Sequence, residues 1–153
     1  MGKDLHVVLI EDSAADVKKA YRVLELLNVK TPTVFTLIPA ALMYLEDVVD
    51  GKRTCPDLIL LDLVLGADSG FEVLRYFKMH PALARCHVVV WTAMGDVQQE
   101  LCRHFGVLHV VSKDDGDGAL LQVMKKLTSG RSPSAQGPIF NAPGFPNSIP
   151  TAD

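Results

Sequence analysis

What most constrains this chain is an alternation of two patterns. Five short apolar runs, at residues 5–10, 33–37, 58–65, 87–92 and 107–111, are separated by stretches with apolar residues at helical spacing. The runs are rich in Val, Ile and Leu and nearly continuous, as parallel strands covered on both faces must be. Between them, Val17, Ala20, Tyr21, Leu24 and Leu27 mark a first helical stripe, and Ala41, Leu42 and Leu45 a second. Phe71, Leu74 and Phe77 mark the third, Val97, Leu101 and Phe105 the fourth, and Leu120, Val123, Met124 and Leu127 the last. Boundary signals agree. Ser13 is placed to cap the first helix, with Asp16 three residues on as a shortened capping box. Pro39 suits the first turn of the second helix, and Gly106 the end of the fourth. Strand and helix alternating five times, with right-handed crossovers, predict an α/β fold: a doubly wound (βα)5 parallel sheet of five strands.

The pattern ends near residue 128. Residues 129–153 hold five of the nine prolines, three glycines and two charges, so they read as an extension to a single domain at 1–128. The apolar Ile139, Phe140, Phe145 and Ile149 in that extension suggest that it packs on something. We expect a homodimer in which stiff, proline-rich arms are exchanged across a two-fold axis, with docking of the extension on its own domain as the competing reading. The weakly charged edge run at 107–111 is a second candidate dimer face.

Composition removes several function classes. Hydrophobic residues make up 48% and charged residues 22%, which excludes a disordered or coiled-coil chain. A net charge of −3 speaks against a nucleic-acid or anionic-membrane footprint. Cys55, Cys86 and Cys102 are too scattered for a disulfide framework or a zinc site and read as thiols in a reducing compartment. Met1-Gly2-Lys3-Asp4 leads straight into an apolar run without the apolar stretch of a signal peptide. The longest apolar run is too short for a bilayer and carries Asp62 in its middle. The expectation is a cytoplasmic domain that binds neither nucleic acid nor membrane.

In an open α/β sheet, ligands bind outside the carboxyl ends of the strands. Those ends read Glu11-Asp12, then Asp62, then Thr92-Ala93, with Lys113 after the fifth run. Singly, each has an ordinary explanation: Asp62 as a turn or capping residue, Asp12 as a helix cap, Lys113 as a solvated lysine. Together, three carboxylates in one crevice repel one another and call for a cation. Oxygen ligands with open coordination positions suit Mg²⁺, and Lys113 and Thr92 suit a phosphoryl group.

These segments resemble the receiver domains of two-component response regulators. The resemblance spans residues 5–128. It rests on Val-Leu-Ile-Glu11-Asp12-Ser, on the Asp57-to-Gly70 stretch around Asp62, on Val-Val-Val-Trp-Thr92-Ala93 and on Val-Val-Ser-Lys113. More narrowly, Glu11-Asp-Ser-Ala-Ala-Asp-Val and His80-Pro-Ala-Leu-Ala-Arg resemble single-domain regulators paired with bacterial phytochrome kinases. The resemblance implies a flavodoxin-like sheet of order 2-1-3-4-5. It implies Asp62 as phosphoacceptor from a histidine kinase. It also implies Mg²⁺ held by Asp12, Asp62 and the Val64 carbonyl, with Glu11 acting through water. Thr92 and Lys113 would bond phosphoryl oxygens. Val64 and Met94 would flank the attacking water, and because both are apolar a long-lived phosphoryl group is expected.

Three positions depart from the family pattern: Asp114 where proline follows the lysine, Val110 at an aromatic switch position, and Gly66 where proline is common. The expected function is a stand-alone phosphoacceptor rather than an enzyme acting on other substrates. The alternative is a non-phosphorylated pseudo-receiver scaffold. A flavodoxin-like cofactor enzyme fits poorly, because Glu-Asp-Ser-Ala-Ala after the first run offers no phosphate cradle.

Overall fold

The computed structural model describes residues 5–93 and 96–129. Five parallel strands form one sheet: β1 (Val7–Ile10), β2 (Thr33–Phe35), β3 (Leu58–Leu61), β4 (His87–Thr92) and β5 (His109–Ser112). Their spatial order is β2-β1-β3-β4-β5, with Ile10 opposite Leu61, Leu61 opposite Val90, and Thr92 opposite Ser112. Five helices connect or follow them: α1 (Ala14–Leu26), α2 (Ile38–Val49), α3 (Phe71–Met79), α4 (Asp96–His104) and α5 (Asp117–Thr128). The alternation read from the sequence is therefore the architecture observed.

Successive strand residues point to opposite faces and feed two cores. On one face Ile10, Ile59, Leu61, Val88 and Val90 meet Ile38, Ala41 and Leu45 of α2 and Val73, Leu74 and Phe77 of α3. On the other, Val7, Leu9, Leu60, Val89 and Trp91 meet Ala20, Val23 and Leu24 of α1 and Leu120 and Met124 of α5. The central strands β1, β3 and β4 are buried at every residue, which is why their sequences do not alternate.

Three strand boundaries that differ from the sequence expectation have a local reason, and one helix buries a slightly different stripe. The run 58–65 is not one strand. The Asp62 carboxylate accepts the N–H of Val64 at 3.2 Å, a side-chain turn that ends β3 at Leu61. Val64–Leu65 then pairs antiparallel with Asp68–Ser69 in a small hairpin. The last strand begins at His109 because residue 107 belongs to the helix cap. Val107 N–H bonds Cys102 O and Gly106 N–H bonds Arg103 O, a Schellman closure with Gly106 at φ +84°. β2 stops at Phe35, since Leu37 becomes the N-cap of α2 with Pro39 in the first turn. In α1 the buried stripe runs through Ala20, Val23 and Leu24, leaving Tyr21 38% exposed. Among the described residues, no helix is long and apolar enough to cross a membrane.

Candidate functional site

Because every strand runs the same way, the residues that follow β1 and β3, the last residue of β4 and the turn after β5 meet at one end of the sheet. Glu11, directly after β1, is fully buried. Its Oε1 accepts from Lys113 Nζ at 2.8 Å, and its Oε2 from the Ser13 N–H at 3.1 Å. Asp12 beside it is exposed. Asp62, directly after β3, is buried. Its Oδ1 accepts from the Thr92 hydroxyl at 2.9 Å and the Val64 N–H at 3.2 Å, and its Oδ2 from Lys113 Nζ at 3.0 Å. The structure thus brings Glu11, Asp12, Asp62, Thr92 and Lys113 into one cluster. Val64 reaches it through its main chain, its side chain being exposed. Met94 and the residues from 130 onward, including the apolar positions of the extension, lie outside the described residues.

Lys113 is the hub. An ammonium has three N–H donors. Lys113 directs them at Glu11, Asp62 and a third carboxylate, Asp16 Oδ2, at 2.7 Å. Asp16 is the site residue that sequence reasoning missed. The sequence places it as half of a capping box, and half of that box exists: Ser13 Oγ accepts the Asp16 N–H at 3.3 Å. The reciprocal half does not, because the Asp16 carboxylate turns to Lys113 and the Ser13 N–H turns to Glu11. The available signal is a third acid one helical turn beyond the acidic pair.

Three carboxylates, Glu11, Asp16 and Asp62, surround one ammonium with Asp12 beside the cluster, and the crowding is visible in the titration of Glu11 and Lys113. Burial pushes the Glu11 carboxyl up to about 7; the neighbouring Asp62 charge adds to this, while the Lys113 hydrogen bond opposes it. For Lys113, burial opposes the charge. The hydrogen bonds to Asp16, Glu11 and Asp62 outweigh burial and hold it above the ordinary lysine value. Glu11, Asp12 and Asp62 each offer an oxygen, and these oxygens lie within 4.8 Å of one another. A surplus of hard oxygen donors at that spacing suits a divalent cation.

The surrounding loops are shaped to this cluster. Gly70 N–H donates to Leu63 O at 2.9 Å, and a Cβ at Gly70 would lie 2.3 Å from the Asp62 carbonyl oxygen. Only glycine lets the loop fold back this closely. Gly66, at φ +58°, lies beside Asp12, with Asp12 Oδ2 at 4.0 Å from where its Cβ would be. After β5, Asp114 donates its N–H to Ser112 Oγ at 3.1 Å, a bond that a proline could not make. Val110 lines a cavity of about 360 Å³ together with Thr92, Leu63 and Cys102.

A 2-1-3-4-5 parallel sheet with this arrangement is the flavodoxin-like receiver fold. Its structural neighbours are receiver domains of response regulators. The phosphorylated cyanobacterial phytochrome response regulator RcpA shares 25% identity over 85% of this chain and 97% of its own, with a TM-score of 0.70. The Mn²⁺-bound form of response regulator Rcp1 shares 26% over 84% of this chain and 97% of its own, with a TM-score of 0.65. A response regulator receiver domain from Rhodospirillum rubrum shares 24% over 81% of this chain and 91% of its own, with a TM-score of 0.66. No family model matches the chain, and no curated protein does.

Proposed function

We propose that this chain is a stand-alone response regulator that accepts a phosphoryl group on Asp62 from a histidine kinase. The observation that carries the proposal is the environment of Asp62. It is a buried carboxylate at a strand end, bonded to a hydroxyl and an ammonium, with two further acids within reach of a shared cation. In the reaction an Asp62 oxygen attacks phosphorus, the phosphorus–nitrogen bond of the kinase phosphohistidine breaks, and the imidazole leaves with its electron pair. The product is an acyl phosphate.

This chain's residues contribute by position and charge. Thr92 and the Val64 N–H hold Oδ1, while Lys113 holds Oδ2 and is placed to pair with an incoming phosphoryl oxygen. The donor set fits Mg²⁺, with Asp12, Asp62 and the Val64 carbonyl as ligands and Glu11 acting through water. The ion would neutralise charge on the transferring phosphoryl group.

The likeness to the phytochrome response regulator RcpA, at 25% identity, supports a phytochrome-type kinase as the donor, and the likeness to RcpA and Rcp1 together supports a signalling rather than enzymatic role. We further propose a cytoplasmic protein with a receiver domain at 1–128 and an extension at 129–153, dimeric in solution. Incubation with acetyl phosphate and Mg²⁺, followed by intact-mass measurement, tests the central proposal. One phosphoryl adduct, absent from Asp62→Asn, is expected; no adduct on the parent would favour a scaffold. Light scattering before and after truncation at Ser129 tests the dimer.

A further inference from the structure

The chain has a single tryptophan, Trp91, in β4 immediately before Thr92. It is 2% exposed and packs in the layer between the sheet and helices α1 and α5. Burial of a large apolar ring explains its place in that core. It does not explain two further observations. The Lys113 Nζ lies 5.0 Å from the centroid of the ring, within cation–π range, where tryptophan is the strongest partner. Among the described residues the buried indole Nε1 has no hydrogen-bond partner, a cost that Leu or Phe in the same layer would not carry.

The strand itself ties the ring to the Asp62–Lys113 pair. Consecutive residues of β4 point to opposite faces. Thr92 bonds Asp62 at 2.9 Å, and Trp91 lies against Lys113, the other partner of the 3.0 Å Lys113–Asp62 ion pair. One dipeptide on a fully buried strand therefore touches both halves of that pair. The three carboxylates on Lys113 are its other contacts. Two of them, Glu11 and Asp62, belong to the proposed metal and phosphoryl cluster and are redeployed when it fills. The ring is neutral and does not compete for phosphoryl oxygens, so its attraction for the ammonium persists through the exchange.

We propose that Trp91 is a positioning residue for Lys113. The face of its indole keeps the ammonium at the crevice while carboxylate partners give way to the incoming phosphoryl group. This rests on Asp62 as phosphoacceptor. The position also makes Trp91 a built-in optical reporter of the lysine.

The test uses the full chain, Trp91→Phe and Trp91→Leu, with acetyl phosphate at saturating Mg²⁺. Leu, without a π face, should slow labelling about five- to tenfold, and Phe about two- to threefold. Mg²⁺ affinity should stay within about twofold of the parent, since Trp91 is not among the cluster's oxygen donors. Loss of buried volume would order the two variants the same way, so the urea midpoint is read alongside: a packing role lowers it in step with labelling, whereas the positioning role slows labelling of the folded protein beyond that loss. In a separate arm without phosphoryl donor, the tryptophan emission of Lys113→Met should differ from that of the parent. Labelling of Trp91→Leu at the parental rate, equal slowing in both variants, or unchanged emission in Lys113→Met would overturn the proposal while leaving the phosphoacceptor reading intact. If Trp91→Leu does not fold, parental labelling by Trp91→Phe overturns it. A parent that takes no phosphoryl group would instead remove the phosphoacceptor reading, and this proposal with it.

Discussion

Asp57 and Asp62 stand at the two ends of β3, five residues apart, and their carboxylates are satisfied in different ways. Asp57, half-buried at the amino end, accepts the main-chain N–H of His6 at 2.8 Å and so ties the start of β1 to the start of β3. That partner carries no net charge and cannot leave without disturbing the sheet. Asp62, buried at the carboxyl end, is held largely by side chains, the Thr92 hydroxyl and the Lys113 ammonium, and two further acids lie within reach of one shared cation. Those partners can be exchanged. An acid bonded to backbone in an uncrowded place is structural cement. An acid crowded by its own kind and held by movable donors is poised for chemistry. The parallel sheet sets this polarity, because all its strand ends carry their loops on the same side.

The sharpest way to break the comparison is to neutralise Asp62. Asp62→Asn should abolish phosphoryl uptake from acetyl phosphate, read by intact mass. Its urea midpoint should not fall below that of the parent. The amide oxygen still accepts from Thr92, and one of the three like charges around Lys113 is removed while Glu11 and Asp16 keep the ammonium paired. An adduct that survives the substitution would move the acceptor elsewhere.

A second test attacks the geometry of Asp62 without touching its charge. In Gly70→Ala the new Cβ would lie 2.3 Å from the Asp62 carbonyl oxygen and 2.9 Å from Leu63 Cα, so the main chain beside the acceptor must shift. We expect a loss of about 1–3 kcal/mol in stability. Labelling should slow by roughly 100-fold, since a displacement of about 1 Å costs that much at a reacting centre. Labelling at the parental rate would show that the loop's close approach serves folding alone.

A third test concerns the cation. Asp12→Asn removes one of the three clustered carboxylates and the exposed one, leaving the hydrogen bonds of Glu11 and Asp62 unchanged. Mg²⁺ affinity, measured by calorimetry, should fall at least about tenfold, or 1.4 kcal/mol. Labelling at limiting Mg²⁺ should fall with it and recover at high Mg²⁺. Unaltered affinity would leave the cluster as a set of repelling acids without an ion.

Much of this polarity was legible in the sequence. The alternation of apolar runs and helical stripes gave the sheet, and an aspartate inside Leu-Ile-Leu-Leu-Asp-Leu-Val-Leu marked a strand end where a charge must be matched. What escaped detection depends on contacts between distant segments. Asp16 and Lys113 are 97 residues apart, and a first-turn acid has a sufficient local explanation as a helix cap. Trp91 lies inside an apolar run, where nothing in the spacing announces a lysine on its ring. The break of the run at Leu61 follows from a side-chain turn at Asp62 that hydrophobicity does not register. Local pattern sets the layers, and side-chain partners across the sheet decide which polar residues are occupied with chemistry.

The smallest expected effect completes the contrast. Asp57→Ala removes the acceptor of the His6 N–H at the opposite end of β3. A main-chain donor left unpaired in a partly buried position costs about 1–3 kcal/mol, and the half-exposure of Asp57 admits water and places the loss near the lower figure. The urea midpoint should therefore fall modestly with an unchanged slope, since the surface exposed on unfolding is the same. Labelling of the folded fraction should match the parent, because β1 and β3 remain paired through the register from Val8–Ile59 to Ile10–Leu61 that positions Glu11 and Asp62. Asp57→Asn retains an oxygen acceptor and should recover most of the loss. If Asp57→Ala instead slowed labelling without lowering stability, the two ends of β3 would be coupled through the strand, and a division into a structural and a chemical end would fail.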